Sequence, residues 1–269
     1  MNNIGLGNLD DLFKAAEADG LTSATLDLVV ANLNGPTMMQ TIGVGLDDLA
    51  TADVTLAMNI IDMSGSMGPH AADLTRAYNE DYLKAMRCSP SADDILVSTI
   101  LFDDQVVLLH GYVGLEDAAE LTPKTYTPRG ATALYDAVAG GLSNMVLYAQ
   151  QLRQSGVSVR GVVVVYSDGD DNDSKQKPGA VRRMVEDLLK QEVYTFAYVG
   201  FVEKSQRPIG FKTGNTPNPT HKMASAIGFP NAYTAGLSPA DLRHIFYMAS
   251  QSTIMVSRGA AVPAGSLFS

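Results

Sequence analysis

The chain has 269 residues, 46% of them hydrophobic, and a formal charge of −10 from 19 basic and 29 acidic side chains. That is enough apolar mass for one large domain, and the acidic balance disfavours nucleic acid and an anionic membrane as partners, since phosphate binding needs clustered Lys and Arg. The single cysteine, Cys88, excludes an internal disulfide and a zinc–cysteine cluster, and is expected as a half-buried thiol late in a helix.

The first residues, Met1 to Asn8, have neither a basic start nor a long apolar run, so no signal peptide is expected. No apolar run approaches the ~18 residues that span a bilayer. The cytoplasm is therefore the expected location. Leu9, Leu12, Phe13 and Ala16 fall at helical spacing, with Asn8 as N-cap and Gly20 as stop. Leu26 to Ala31 reads as a short strand closed by a Gly35-Pro36 turn. Met38 to Leu49 has no clear periodicity.

Val54 to Ile61 comes next. Seven of the eight residues before Asp62 are apolar or Thr, the pattern of a strand buried on both faces of a parallel sheet. The run ends in Asp62-Met63-Ser64-Gly65-Ser66. In open α/β sheets, ligands sit at the carboxyl ends of strands. Asp62, Ser64 and Ser66 offer only oxygen atoms, which suits a hard cation such as Mg2+ and not zinc.

Ala71 to Met86 follows as an amphipathic helix with Leu74, Ala77, Tyr78 and Leu83 near one face. Asp94 to Phe102 is a second strand. Asp103-Asp104 reads as a two-residue turn into Gln105 to Leu109, which forces an antiparallel hairpin. Leu115 to Pro128 is a connecting loop. Thr132 to Arg153 is a long helix, with Leu134, Val138, Leu142, Met145 and Ala149 on one stripe. Gly161 to Ser167 is a central strand. Pro178 opens a helix through Leu189, and Val193 to Val199 is a further strand. Residues 203–219 form a polar loop, Asn231 to Thr234 a last strand, and Ser238-Pro239 begins a helix to about Ile254. Residues 257–269 read as a tail.

Three segments together resemble the von Willebrand factor A (VWA) family and its metal-ion-dependent adhesion site. Asp62-x-Ser64-x-Ser66 resembles the first motif. Gly130-Ala131-Thr132 is similar to the family's Gly-Gly-Thr segment, with Ala131 in place of the second Gly. Val162 to Gly169 is similar to its strand ending in Asp-Gly, here Asp168-Gly169. The resemblance covers roughly residues 53–254. It implies a three-layer Rossmann-like α/β fold, with a mostly parallel central sheet, one antiparallel edge strand and helices on both faces. It divides the chain into an N-terminal extension, 1–50, packed on or docking to the domain, a VWA domain over 51–256, and a tail over 257–269.

The resemblance also implies the site. Ser64 and Ser66 are direct ligands of Mg2+, with Mn2+ or Ca2+ as substitutes. Thr132 binds directly or through water, and Asp62 and Asp168 mainly hold metal-bound waters. An open position then takes an Asp or Glu from a partner protein. Relatives of this kind serve as adaptors beside AAA+ ATPases or in bacterial stress and conflict systems. The plainer alternative is that Asp62 caps a turn, Ser66 caps a helix and Asp168 ends a strand, with no metal.

Asp168, Asp170 and Asn172 have the odd-position spacing of a calcium loop, but Asp173 stands where glycine is required. That stretch reads as a solvated acidic rim. His70 lies just past the metal loop, while Met58, Met63, Met67 and Tyr166 read as core. No P-loop, dinucleotide fingerprint or Gly-x-Ser-x-Gly elbow is present, so no catalytic residue is expected. Two other function classes stand beside the adaptor. A Mg2+-dependent phosphatase would use Asp62 as nucleophile, but its usual second Asp is Ser64. A self-assembling structural protein would fill each metal site with a neighbour's acidic residue.

Overall fold

The computed structural model describes residues 9–33, 43–45, 49, 51–202 and 218–260. In chain order the helices and strands are α1 (Leu9–Ala18), α2 (Ser23–Leu33), β1 (Asp53–Asp62), α3 (Ala71–Arg76), α4 (Lys84–Arg87), β2 (Ile95–Phe102), β3 (Val106–Gly114), α5 (Leu134–Gln154), β4 (Ser158–Ser167), α6 (Pro178–Leu189), β5 (Tyr194–Val202), α7 (Pro219–Ile227), β6 (Asn231–Gly236) and α8 (Pro239–Ser257). A 3-10 turn, Gly65–His70, leads into α3, and a π-helical stretch, Ala77–Leu83, joins α3 to α4.

The six strands form one sheet in the order β3-β2-β1-β4-β5-β6. All neighbours run parallel except β3, which is antiparallel to β2 at one edge. This is the expected Rossmann-like architecture, mostly parallel with one antiparallel edge strand. Nine of the ten residues of β1 are buried, because it lies between β2 and β4 with helices on both faces. Leu56, Met58 and Ile60 share one core with α5, α6, α7 and α2. Ala57 and Ile61 point the other way, into a core with Leu74, Tyr78, Tyr82 and Phe246. The period-two alternation of the strand thus builds both layers. Helix α5 comes very close to the sheet at Gly141, where a Cβ would lie 2.8 Å from Met58 Sδ.

The chain leaves β1 toward β2 on one side and later returns to β4 on the other. The strand order therefore reverses at β1, and the crevice between the ends of β1 and β4 is the switch point where such sheets hold ligands.

Several expectations are corrected. Leu26 to Ala31 is not a strand but the middle of α2. Thr25, Leu26, Leu28 and Val29 are buried while Asp27, Val30 and Ala31 are exposed, a helical rather than alternating pattern. Burial against α5 and α6 overrides the strand preference of Val29 and Val30. The hairpin loop has three residues, Asp103-Asp104-Gln105, closed by the pair Phe102–Val106, and β3 runs on to Gly114. Helix α5 begins at Leu134, two residues after Thr132. Helix α7, capped by the Asn218 side chain with Pro219 in its first turn, was hidden at the end of a stretch read as loop. Cys88 lies exposed just after α4, not half-buried. Asn8, the Gly35-Pro36 turn, most of Met38 to Leu49, residues 203–217 and residues 261–269 lie outside the described residues.

Helices α1 and α2 share the core of α5 and α6 through Ala16, Leu21, Leu26 and Val29. The Asp187 carboxylate of α6 accepts hydrogen bonds from the Thr22 and Thr25 hydroxyls, each at 2.6 Å. Asp19 accepts from Gln150 and Arg153 of α5.

Candidate metal centre

Asp62 ends β1 and is fully buried. Its Oδ1 accepts the Ser64 N–H at 2.7 Å, closing the turn, and its Oδ2 accepts the Ser167 hydroxyl. The expected turn-capping role of Asp62 is therefore present. Burial pushes its carboxyl up to about 6, although the Ser167 and Ser64 hydrogen bonds pull the other way, and the neighbouring Asp168 charge adds to the rise. A cation at this place would relieve the cost of holding a buried negative charge.

Ser66 does not cap a helix. It lies within the 3-10 turn, where its hydroxyl donates to Asp168 Oδ1 at 2.9 Å. Ser64 Oγ and Ser66 Oγ are 3.1 Å apart. In an octahedron with bonds of about 2.1 Å, adjacent oxygens lie about 3.0 Å apart. The Ser64 and Ser66 oxygens are thus spaced like one edge of a Mg2+ shell, Asp168 is in hydrogen-bond reach of Ser66, and the donor set is all oxygen. The residues fit a hard cation.

Thr132 is buried, and its hydroxyl lies 3.9 Å from where a Cβ of Gly169 would be, beside the residue that follows Asp168. All five expected residues thus come from the ends of β1 and β4 and the approach to α5. Among the described residues, no three His, Cys, Asp or Glu side chains converge as a metal cluster. The candidate shell is hydroxyl-rich, with two carboxylates.

Two neighbouring loops hold these groups in place. The strap Tyr126–Gly130 is laced to the metal loop. The buried Tyr126 hydroxyl donates to the Asp62 carbonyl at 2.6 Å, the Arg129 N–H to the Met63 carbonyl at 2.9 Å, and the Gly65 N–H to the Gly130 carbonyl at 3.3 Å. Gly130 has φ +65°, a left-handed conformation that glycine adopts without strain. On the other side, the loop after Asp168 caps α5. Asn172 Oδ1 accepts the Thr132 N–H at 2.8 Å, while the Asn172 N–H returns to the Thr132 carbonyl at 3.0 Å. Asp171 accepts from the Tyr135 N–H and Ser174 from the Asp136 N–H. Helix α5 has no capping side chain of its own, so this loop satisfies its free N–H groups.

The expected acidic rim is therefore only partly a solvated one. Asp170 and Asp173 are exposed, but Asp171 and Asn172 are structural. His70 is half-buried at the end of the 3-10 turn, and Met58, Met63, Met67 and Tyr166 are core, as expected. The sequence reading missed Tyr126, Ser167 and Asn172. Ser167 could have been found beside Asp168; nothing local marks Tyr126.

An open, mostly parallel α/β sheet with an oxygen-lined crevice at its switch point defines a Rossmann-like domain built to hold a polar ligand or cation. The match is specific: residues 58–239 fit the family model of the von Willebrand factor type A domain, and the chain belongs to that family. A comparison with curated protein sequences gives no match.

Among solved structures, the chain is similar to the pilus adhesin SpaC from Lactobacillus rhamnosus GG, with a TM-score of 0.52 and 12% identity, over 76% of this chain and 30% of that one. It is also similar to a von Willebrand factor type A protein from Catenulispora acidiphila, with a TM-score of 0.46 and 14% identity, over 75% of this chain and 43% of that one. A third is proximal thread matrix protein 1 from the mussel byssus with a zinc-occupied MIDAS motif, at 0.44 and 14%, over 75% and 46%. These likenesses concern the fold. The chain spans less than half the length of each of these proteins. Among the described residues, no helix is long and apolar enough to cross a membrane.

Proposed function

We propose that this chain is a metal-dependent protein-binding module, an adaptor rather than an enzyme, acting in the cytoplasm. Mg2+ is held by Ser64 and Ser66, by Thr132 directly or through water, and by Asp62 and Asp168 chiefly through metal-bound waters. The observation that carries this reading is the 3.1 Å spacing of the Ser64 and Ser66 oxygens, with Asp168 within hydrogen-bond reach of Ser66.

The hydroxyls carry no charge, so the cation keeps most of its own and remains attractive to a further anion. Ser66 is exposed, while Asp62 and Ser64 are buried, so the cation has an outward face. An Asp or Glu side chain of a partner protein fits that face. An acidic protein thereby binds an acidic residue through the metal. The partner is defined by this chemistry, and nothing at the site singles out an AAA+ ATPase.

The test is binding with and without the metal shell. Replacing Ser64 and Ser66 together by Ala removes two ligands and leaves the buried strand β1 unchanged. Partner capture should fall at least tenfold while circular dichroism stays native. EDTA should reproduce the loss, and Mg2+ should restore only the parent. Undiminished capture by the double variant would refute the metal-bridged reading.

A further inference from the structure

Arg129 stands in the strap that is laced to the metal loop. Its main-chain N–H is bonded to the Met63 carbonyl, and a Cβ at Gly65, between the two serines, would come within 4.0 Å of its carbonyl carbon. Its side chain is 62% exposed, and among the described residues its one hydrogen bond is from Nε to Asp103 Oδ2 at 3.0 Å.

Asp103 is itself fully buried and accepts the Gln105 N–H through its other oxygen. It is a fixed acceptor at the end of β2, and it sets where the guanidinium lies. Among the described residues the Nη1 and Nη2 groups make no hydrogen bond or ion pair. A guanidinium held at one donor has already lost much of its rotamer freedom, so binding a planar anion costs it less. Asp104, Asp170 and Asp173 are exposed acids around the crevice, and the exposed Lys175 follows Asp173. Asp104 lies over Gly130, where a Cβ would come 2.8 Å from its Oδ1.

We propose that Arg129 is a second anchor for the partner, which presents two carboxylates on one short acidic segment: one for the cation, one for the outer guanidinium edge. This rests on the metal-bridged reading above and adds the partner's chemistry to it. The anchor lies on the β2 side of the metal loop, while the exposed acids Asp170 and Asp173 follow β4 on the other side. The segment therefore runs from the metal toward β2, where the guanidinium lies, and passes Asp104 on that side.

The probes are capped glycine peptides carrying one Asp, or two Asp separated by one or by two Gly. Binding is followed by amide shifts of the full chain in saturating Mg2+. Two carboxylates alone give roughly a twofold gain by statistics. The parent should bind at least one two-Asp peptide about fivefold tighter than the one-Asp peptide, the size of a positioned arginine–carboxylate pair. Arg129→Gln should reduce that advantage to the statistical gain and keep the parental Mg2+ affinity.

Equal binding of all peptides by the parent overturns the second anchor and leaves the metal reading intact. So does an Arg129→Gln variant that weakens every peptide alike or loses Mg2+, because the arginine then only props the loop. If no peptide binds the Mg2+-loaded parent, the metal-bridged reading fails and the anchor with it.

Discussion

The Tyr126 hydroxyl donates to the main-chain carbonyl of Asp62 across 2.6 Å. The last residue of β1 has no further strand position to satisfy it, and a side chain 64 residues later does so instead. The pose of the first metal-loop residue therefore depends on the strap Tyr126–Gly130.

Tyr126→Phe keeps the ring and removes the donor. It should cost about 1–2 kcal/mol, the price of an unsatisfied buried carbonyl. Mg2+ affinity should fall severalfold with it, since Ser64 follows from the pose of Asp62. Urea unfolding and a Mg2+ titration of the same variant check both. A loss of stability with parental Mg2+ affinity would show that the strap does not orient the loop.

Asp62 is a stability cost in the metal-free protein. Its folded value of about 6 lies above the ordinary 3.8. The folded chain therefore holds the proton more tightly, so this contribution is full below about pH 4 and is lost as pH rises through 6. Asp62→Asn should raise metal-free stability at pH 7 by roughly 1–3 kcal/mol. That gain should vanish below pH 4. Mg2+ should raise the Tm of the parent and leave that of Asp62→Asn or Asp62→Ala unmoved. Calorimetry with EDTA and with Mg2+ at pH 4 and 7 gives all four values.

Asp187 behaves in the opposite sense. Burial raises its carboxyl, but the hydroxyls of Thr22 and Thr25, Lys190 and the Thr22 N–H outweigh it and bring the value down to about 2. The stabilisation is full above the unfolded value near 4 and is lost as pH falls through 2. Asp187→Asn should cost about 2 kcal/mol at pH 7. The deficit should shrink between pH 4 and pH 2, and proteolysis within residues 9–33 should become easier. An equal deficit at both ends of that range would exclude a charge-based clasp for α2.

The purified chain should not hydrolyse ATP, GTP or aryl phosphates above background. The residue two positions after Asp62 is Ser64, which is no acid–base partner, and the buried Asp62 carboxylate is already engaged by Ser64 and Ser167. Turnover that disappears in Asp62→Asn would favour the phosphatase reading.

The sheet was legible because burial on both faces leaves a plain mark. Val54 to Ile61 and Val162 to Val165 carry almost no polar residue, and each ends in its site aspartate or serine. Two of the three oxygen motifs, at Asp62 and Asp168, could be named for the same reason, each sitting where an apolar run stops; the third, at Thr132, stands instead just before the apolar stripe of α5. What could not be read depends on partners distant in sequence. Val29 and Val30 favour a strand locally, and only the surfaces of α5 and α6 make them helical. Asn172 looked like one more polar residue in an acidic run, yet it caps a helix 40 residues earlier. Tyr126 gave no signal because its partner is a main-chain carbonyl, which has no sequence identity.

Ser66 and Asp168 meet across 102 residues of chain. During synthesis the Asp62–Ser66 loop emerges long before β4, and β1 has no neighbour on that side until β4 follows. The Ser66–Asp168 contact is thus a mark of the finished sheet. On the metal-bridged reading proposed above, a chain truncated before β4, or one whose β1 and β4 have failed to pair, would lack that carboxylate and would not compete for the partner.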